Sequence, residues 1–202
     1  MQAARANRDG GRAGYAALFE GCSQLMQLIT TLPQPVIAEV QGIATAAGCQ
    51  LVASCDLAVA AQAVRFGVNG IDVGLFCSSL AVALSRAVPR KSAFEMLVTG
   101  DFITAPEAQR LGLINRAVAA GKLEAETMAL AQKIAAKLPA AIAMGKRSFY
   151  EQLGHDTADA YEAAADTMVA NMMLSETDEG INAFLEKRRP AWAGDLETEA
   201  EA

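Results

Sequence analysis

The sequence predicts a mixed α/β core of repeated β-β-α turns, followed by a region that is helical throughout. Three observations predict it. In the first two thirds, short apolar runs such as Val36 to Val40 and Asp56 to Ala60 alternate with helical stripes, and glycines punctuate the junctions. Beyond Gly112 the apolar residues recur only at helical spacing. The chain has 202 residues, 52% hydrophobic and 20% charged, which suffices for one compact core with a helical appendage.

Taken in order, residues 1–13 have glycine breaks and no apolar period, and they read as a mobile lead-in. From Gly14, Tyr15, Leu18, Phe19, Cys22, Leu25, Met26, Ile29 and Leu32 fall on one helical stripe, which Pro33 and Pro35 end. Val36 to Val40 is a strand, Gly42 breaks it, and the small residues Ala44 to Gly48 lead into a buried helix, CQLVASC. Asp56 starts the strand DLAVA. Val64 to Leu75 mixes apolar pairs with Gly67, Gly70 and Gly74 and reads as strand and turn. Helices follow from about Ser79 to Ala87 and from Pro89 through Leu97, with Gly100 as the cap of the second. Thr104-Ala-Pro-Glu has the form of a helix start, with proline in the first turn and glutamate at the third position.

The last third divides into four helices. Leu123 to Leu138 marks the first, 139–153 the second, Tyr161 to Met172 the third, and Ile181 to Leu185 a short fourth. The predicted organisation is a lead-in at 1–13, an α/β core at 14–138, a helical oligomerisation region at 139–192 and an acidic solvated tail at 193–202. Four amphipathic helices after a completed core need an apolar surface to cover, either on a second copy or on their own core.

Composition excludes several function classes. The formal charge is −6, from 17 Lys+Arg against 23 Asp+Glu, and Asp195, Glu197, Glu199 and Glu201 gather four acids into the tail. The body is nearly neutral, and aromatics at 5% leave few stacking platforms, so nucleic acid is not an expected partner. No apolar run approaches the roughly 18 residues that span a bilayer, so membrane insertion is not expected. Cys22, Cys49, Cys55 and Cys77 form no CxxC pair and read as buried free thiols in a reducing compartment. That fits the cytoplasm, or the mitochondrial matrix for a eukaryotic chain without its transit peptide. With His155 as the single imidazole, placed in a Gly-His-Asp loop, no metal site is expected and histidine-based nucleophilic catalysis drops out.

Two constellations can carry chemistry. Gly42 to Gln50 is a run of small residues between a strand and a helix, where bare backbone N–H groups can meet a ligand oxygen and favour an enolate or oxyanion. The same run also serves simple close packing, and it is neither GxGxxG nor a P-loop. Phe66 to Ser79 carries Asp72 beside a glycine turn, either a proton shuttle or a local backbone acceptor. Cys77 and Ser78 stand before a helix, where the serine reads as an N-cap and the cysteine as a candidate thiol of lowered pKa.

The strings PVIAEVQGIATAAGCQLVASCDLAVA, RFGVNGIDVGL, LSRAVPRKSAFEMLVTGDFITAPEAQRLGLINRAV and GINAFLEKRRPAW together resemble the enoyl-CoA hydratase/isomerase (crotonase) family, from about Gly14 to Trp192. The resemblance implies a crotonase-like superhelix of β-β-α turns with a C-terminal helical trimerisation region, and a homotrimer or hexamer. It implies an acyl-CoA thioester as substrate or ligand, with no separate cofactor. Family members hold the thioester carbonyl between two backbone N–H groups, of which one maps to Ala47. The other comes from an opening segment with no counterpart here, and loss of one such donor costs about 2.7–4 kcal/mol.

The two glutamates with which hydratases add water map to Gln50 and Gly70, neither of which titrates. Ile43, Thr45 and Ala46 match the pantetheine and acyl path, Asn69, Gly70 and Val73 the far wall, and Phe184 and Lys187 the C-terminal coenzyme A contacts. By themselves Ile43 and Val73 read as core residues, and Lys187 as a solvated helix end. The resemblance thus implies an acyl-CoA protein of fatty-acid metabolism whose ordinary hydratase chemistry lacks its acid and base. The alternatives are a non-catalytic acyl-CoA binding subunit and a carboxylate-independent decarboxylase of a malonyl-type thioester.

Overall fold

A computed structural model describes residues 11–193. Of the expected lead-in, residues 1–10 lie outside the described residues, as does the acidic tail from 194 onward. The described residues form two compact units, one of 11–30 with 36–127, the other of 31–35 with 128–193.

In the first unit, helix α1 (Gly11–Thr31) begins three residues before the expected start at Gly14 and replaces the end of the lead-in. Its predicted apolar stripe is mostly unburied. Ile29 is enclosed, Tyr15, Cys22 and Met26 are half-buried, and Leu18, Phe19, Leu25 and Leu32 are exposed. Then come β1 (Ile37–Val40), β2 (Ala44–Thr45), α2 (Ala47–Ser54), β3 (Leu57–Ala61) and β4 (Arg65–Gly67). A 3-10 turn (Asn69–Val73) leads to α3 (Ser78–Ala87) and α4 (Arg90–Thr99). The last turn holds β5 (Ile103–Thr104), α5 (Ala105–Leu111) and β6 (Arg116–Val118).

Each β-β-α turn sends one strand to each of two small sheets. One has the order β1-β3-β6, all parallel, with Ile37 facing Leu57 and Ala60 facing Ala117. The other has the order β2-β4-β5, with Thr45 beside Gly67 in parallel and Phe66 opposite Ile103 in antiparallel pairing. Strand β3 is central, and its run Ala58 to Ala61 is buried throughout, as a strand covered on both faces requires. Phe66, Val68, Leu80 and Leu84 complete the core beside it. Sequence analysis sees the longer strands and not β2, β5 and β6, which have two or three residues each and no alternation to read.

Local chemistry sets the ends. Thr104 caps α5 by accepting from the Glu107 N–H at 3.4 Å, and Gly100 ends α4 in the left-handed conformation at φ 73°. Asn115 closes the last turn, its Oδ1 accepting from Ala58 N–H at 2.7 Å and its N–H donating to Ala58 O at 2.9 Å.

The division into units falls inside α6 (Leu123–Ala135), earlier than the expected boundary after Leu138. The second unit holds α7 (Pro139–Gln152), α8 (Thr157–Met172) and α9 (Ser175–Leu185). Asp156 caps α8, accepting from Ala158 N–H at 3.0 Å and Asp159 N–H at 3.1 Å. Lys146 on α7 is buried, and its ammonium donates to Gln34 O at 2.9 Å within the same unit. His155 lies exposed in the turn between α7 and α8.

Candidate functional site

The site lies at the carboxyl ends of the parallel strands β2 and β4, the place where open α/β sheets receive ligands. Ala46, between β2 and α2, has φ 47° and ψ −121°, a region that side-chain-bearing residues rarely enter and that costs roughly 1–3 kcal/mol. Its N–H donates to Gly67 O at 3.2 Å, and its carbonyl takes the first helical bond, from Gln50 N–H at 3.0 Å. The N–H groups of Ala47 and Gly48 therefore open α2 with no helical partner and no side-chain cap, on an exposed surface. A ligand oxygen placed there meets free donors at the positive end of a helix.

Around this point the structure gathers most of the residues singled out in the sequence. Thr45 Oγ1 donates to Asn69 Oδ1 at 2.6 Å and ties the end of β2 to the 3-10 turn. Ile43 and Val73, which by themselves read as core residues, are instead 61% and 78% exposed. Gln50 is buried and its Nε2 donates to Ser79 O at 3.3 Å, so the amide braces α2 against the first turn of α3.

Gly70 has a steric reason to be glycine. A Cβ there would lie 2.5 Å from Cys77 Sγ and 2.7 Å from Leu75 O. The sulfur fills the volume in which a side chain at this position would begin.

Of the four free thiols only Cys49 is buried, while Cys22, Cys55 and Cys77 are half-buried, a correction to the expectation of four buried ones. Burial pushes the Cys49 thiol up to about 12, against the opposing hydrogen bond with the Gly67 backbone and with a smaller push from Cys77. It is inert at neutral pH. The N-cap of α3 is Cys77 and not Ser78, and it makes no side-chain capping bond. Asp72 makes no backbone hydrogen bond among the described residues. It stands exposed, with Oδ1 2.9 Å from where a Cβ on Gly100 would lie.

Phe184 and Lys187 belong to the second unit. Phe184 is 80% exposed and lines an apolar hollow of about 360 Å3 with Leu138, Ile181, Leu185 and Trp192. Lys187 ends α9 with φ 57°, and the next N–H, of Arg188, returns to Ala183 O at 3.0 Å. Sequence reasoning missed that hollow, the Thr45–Asn69 bond and the positive φ of Ala46. The Ala-Ala-Gly run is the only signal that bears on any of them, and it fixes neither conformation nor partner.

Residues 3–195 match the enoyl-CoA hydratase/isomerase family. The chain belongs to that family. It is 52% identical over 183 residues to the mitochondrial enoyl-CoA hydratase domain-containing protein 3 of Mus musculus, covering 91% of this chain and 61% of that one. The Homo sapiens protein of the same name is 50% identical over 183 residues, covering 91% and 60%. The chain thus spans about three fifths of the curated relatives it matches. Among solved structures, an enoyl-CoA hydratase of Mycobacterium smegmatis superposes with TM-score 0.88 at 58% identity, over 90% of this chain and 70% of that one. The human domain-containing protein 3 superposes with TM-score 0.89 at 49% identity, over 92% and 74%. The crotonase-like fold is therefore shared over nearly all the described residues, in agreement with the two-sheet course of the β-β-α turns.

Proposed function

We propose that this chain binds an acyl-CoA thioester at the start of α2, with the thioester oxygen on the Ala47 N–H. One observation carries the reading. Ala46 is held in a strained conformation whose ψ sets the plane of the next peptide, leaving the Ala47 N–H free, while Ile43 and Val73 are exposed. Ile43, Thr45 and Ala46 follow the acyl and pantetheine path, and Asn69, Gly70 and Val73 the opposite wall. Phe184 and Lys187 supply coenzyme A contacts from the C-terminal helices, which assemble the chain as a homotrimer or hexamer. Relatives bear mitochondrial names, so the matrix is the proposed site of action in a eukaryote and the cytoplasm in a bacterium.

Ordinary hydration does not follow from this site. Adding water across a conjugated double bond needs a base for the water proton and an acid for the neighbouring carbon, and Gln50 and Gly70 offer neither. What the residues do offer is stabilisation of an enolate oxygen. A loss of CO2 from a malonyl-type thioester would use that alone, because the departing carboxylate leaves its bonding electrons on carbon two; the alternative is binding without turnover.

The test is a calorimetric titration of the chain with a medium-chain 2-enoyl-CoA, followed by mass spectrometry of the ligand. Micromolar binding with the thioester unchanged is the expected result. A mass gain of one water would overturn the argument from Gln50 and Gly70, and absence of binding would overturn the acyl-CoA reading.

A further inference from the structure

Helix α1 carries a second apolar face beside the one that rests on its own unit. Tyr15, Cys22, Met26 and Ile29 are half-buried or buried, whereas Leu18, Leu25 and Leu28 are 43%, 48% and 54% exposed. Gly14, Leu18, Gly21, Leu25 and Leu28 follow one another at steps of four, three, four and three residues, so all five share one face, about 20 Å long. That alternation is the spacing of a helix–helix seam. Arg12 and Glu20, the only charged residues of the helix, lie off this face by the helical period.

Gly21 is the midpoint of α1. Glycine weakens a helix interior, and a Cβ on Gly21 would meet nothing within 4 Å, so the described residues give no steric reason for it. What it permits is the close approach of a second backbone. Residues 1–10 and 194–202 hold one large apolar side chain each, Met1 and Leu196, too little to cover the face. The face does match itself. Turned end for end about Gly21, position 14 falls opposite 28 and Leu18 comes beside Leu25, so that Leu28 sits over Gly14 and the two Gly21 backbones meet. Each pairing then occurs twice, as a two-fold contact requires, and no charge enters it. We propose that α1 is a dimerisation face, on which a second copy of this chain lays its own α1 antiparallel across Gly21. The contact uses none of the helices after residue 128 and does not depend on the acyl-CoA reading.

Sedimentation of the full chain at micromolar concentration tests it, with helical circular dichroism as the control for folding. Because the contact is two-fold, breaking it halves the mass of the assembly whatever the second unit contributes. Gly21→Leu raises helix propensity but fills the crossing point, and Leu25→Lys puts a charge into the seam. Each is expected to weaken the association tenfold or more and to halve the mass at unchanged helicity. Gly14→Leu is expected to do the same, and Gly14→Leu combined with Leu28→Ala to restore pairing, since bulk and gap exchange places only in the antiparallel arrangement. A monomeric parent chain would overturn the proposal. So would a mass that neither Gly21→Leu nor Leu25→Lys changes, which would mean that another segment or another protein covers the face. Failure of the exchange to restore pairing would overturn the antiparallel crossing.

Discussion

Gly70, proposed to stand where a hydratase would carry a glutamate, leaves no room for a side chain to begin. A Cβ on this residue would lie 2.5 Å from Cys77 Sγ and 2.7 Å from Leu75 O, and the second of these is backbone that cannot swing away. Gly70→Glu must therefore push the segment 70–77 outward before its carboxylate reaches any ligand. The expected outcome is a loss of about 1–3 kcal/mol of stability, read by chemical denaturation, with no gain of hydratase activity. A Gly70→Glu variant as stable as the parent and able to hydrate crotonyl-CoA would show that the segment yields freely. No single position reveals this fit, because sulfur and glycine are seven residues apart and meet only once the turn has formed.

At the scale of an element, the end of α9 is held by charge more than by packing. Glu179 accepts two bonds from the Arg188 guanidinium, at 2.6 and 2.8 Å, and a third from Ala191 N–H at 2.9 Å, and the chain then turns so that Trp192 lies against Gly180. The Arg188 bonds, with the Ala191 N–H second, draw the Glu179 carboxyl from an ordinary 4.5 down to about 2. A depressed folded value means that this contribution is complete above the unfolded value near 4.5 and is lost as pH falls toward about 2. Trp192 is the only tryptophan, so its emission is expected to shift to the red across that window, and Glu179→Gln to show the shifted emission already at neutral pH. Emission that stays constant down to pH 2 would contradict it. None of this hook is legible in the sequence, where Glu179 and Arg188 are two surface charges nine apart. What is legible is what local rules decide. The Thr104 cap, the left-handed Gly100 and the helix periods from 123 to 185 carry their own signals. Strands of two residues, the Ala46 conformation and the Thr45–Asn69 bond depend on a neighbour brought by the fold, and no window of sequence contains both partners.

For the whole molecule, the two units differ in what they leave uncovered. The first encloses a core around β3 and Phe66, whereas the second buries little beyond Ala183 and Lys146. Its last two helices and the turn between them expose Tyr161, Met168, Val169, Met173, Phe184 and Leu185, with Met173 at 79% and Phe184 at 80%. Scattered apolar residues are ordinary on a surface, but a group of large ones along two successive helices and the turn between them is a liability unless something covers it. The proposed assembly supplies that cover with copies of the same chain, each fully buried side chain contributing about 1.5–3 kcal/mol. The chain is then expected to sediment as an oligomer at micromolar concentration, and Met173→Glu combined with Phe184→Glu to weaken the association by tenfold or more, while α7 to α9 keep their helical circular dichroism. Neither side chain is buried within the unit, so the charges are expected to leave its helices folded. A parent chain that sediments as a monomer at every concentration would leave the exposed face without its proposed partner.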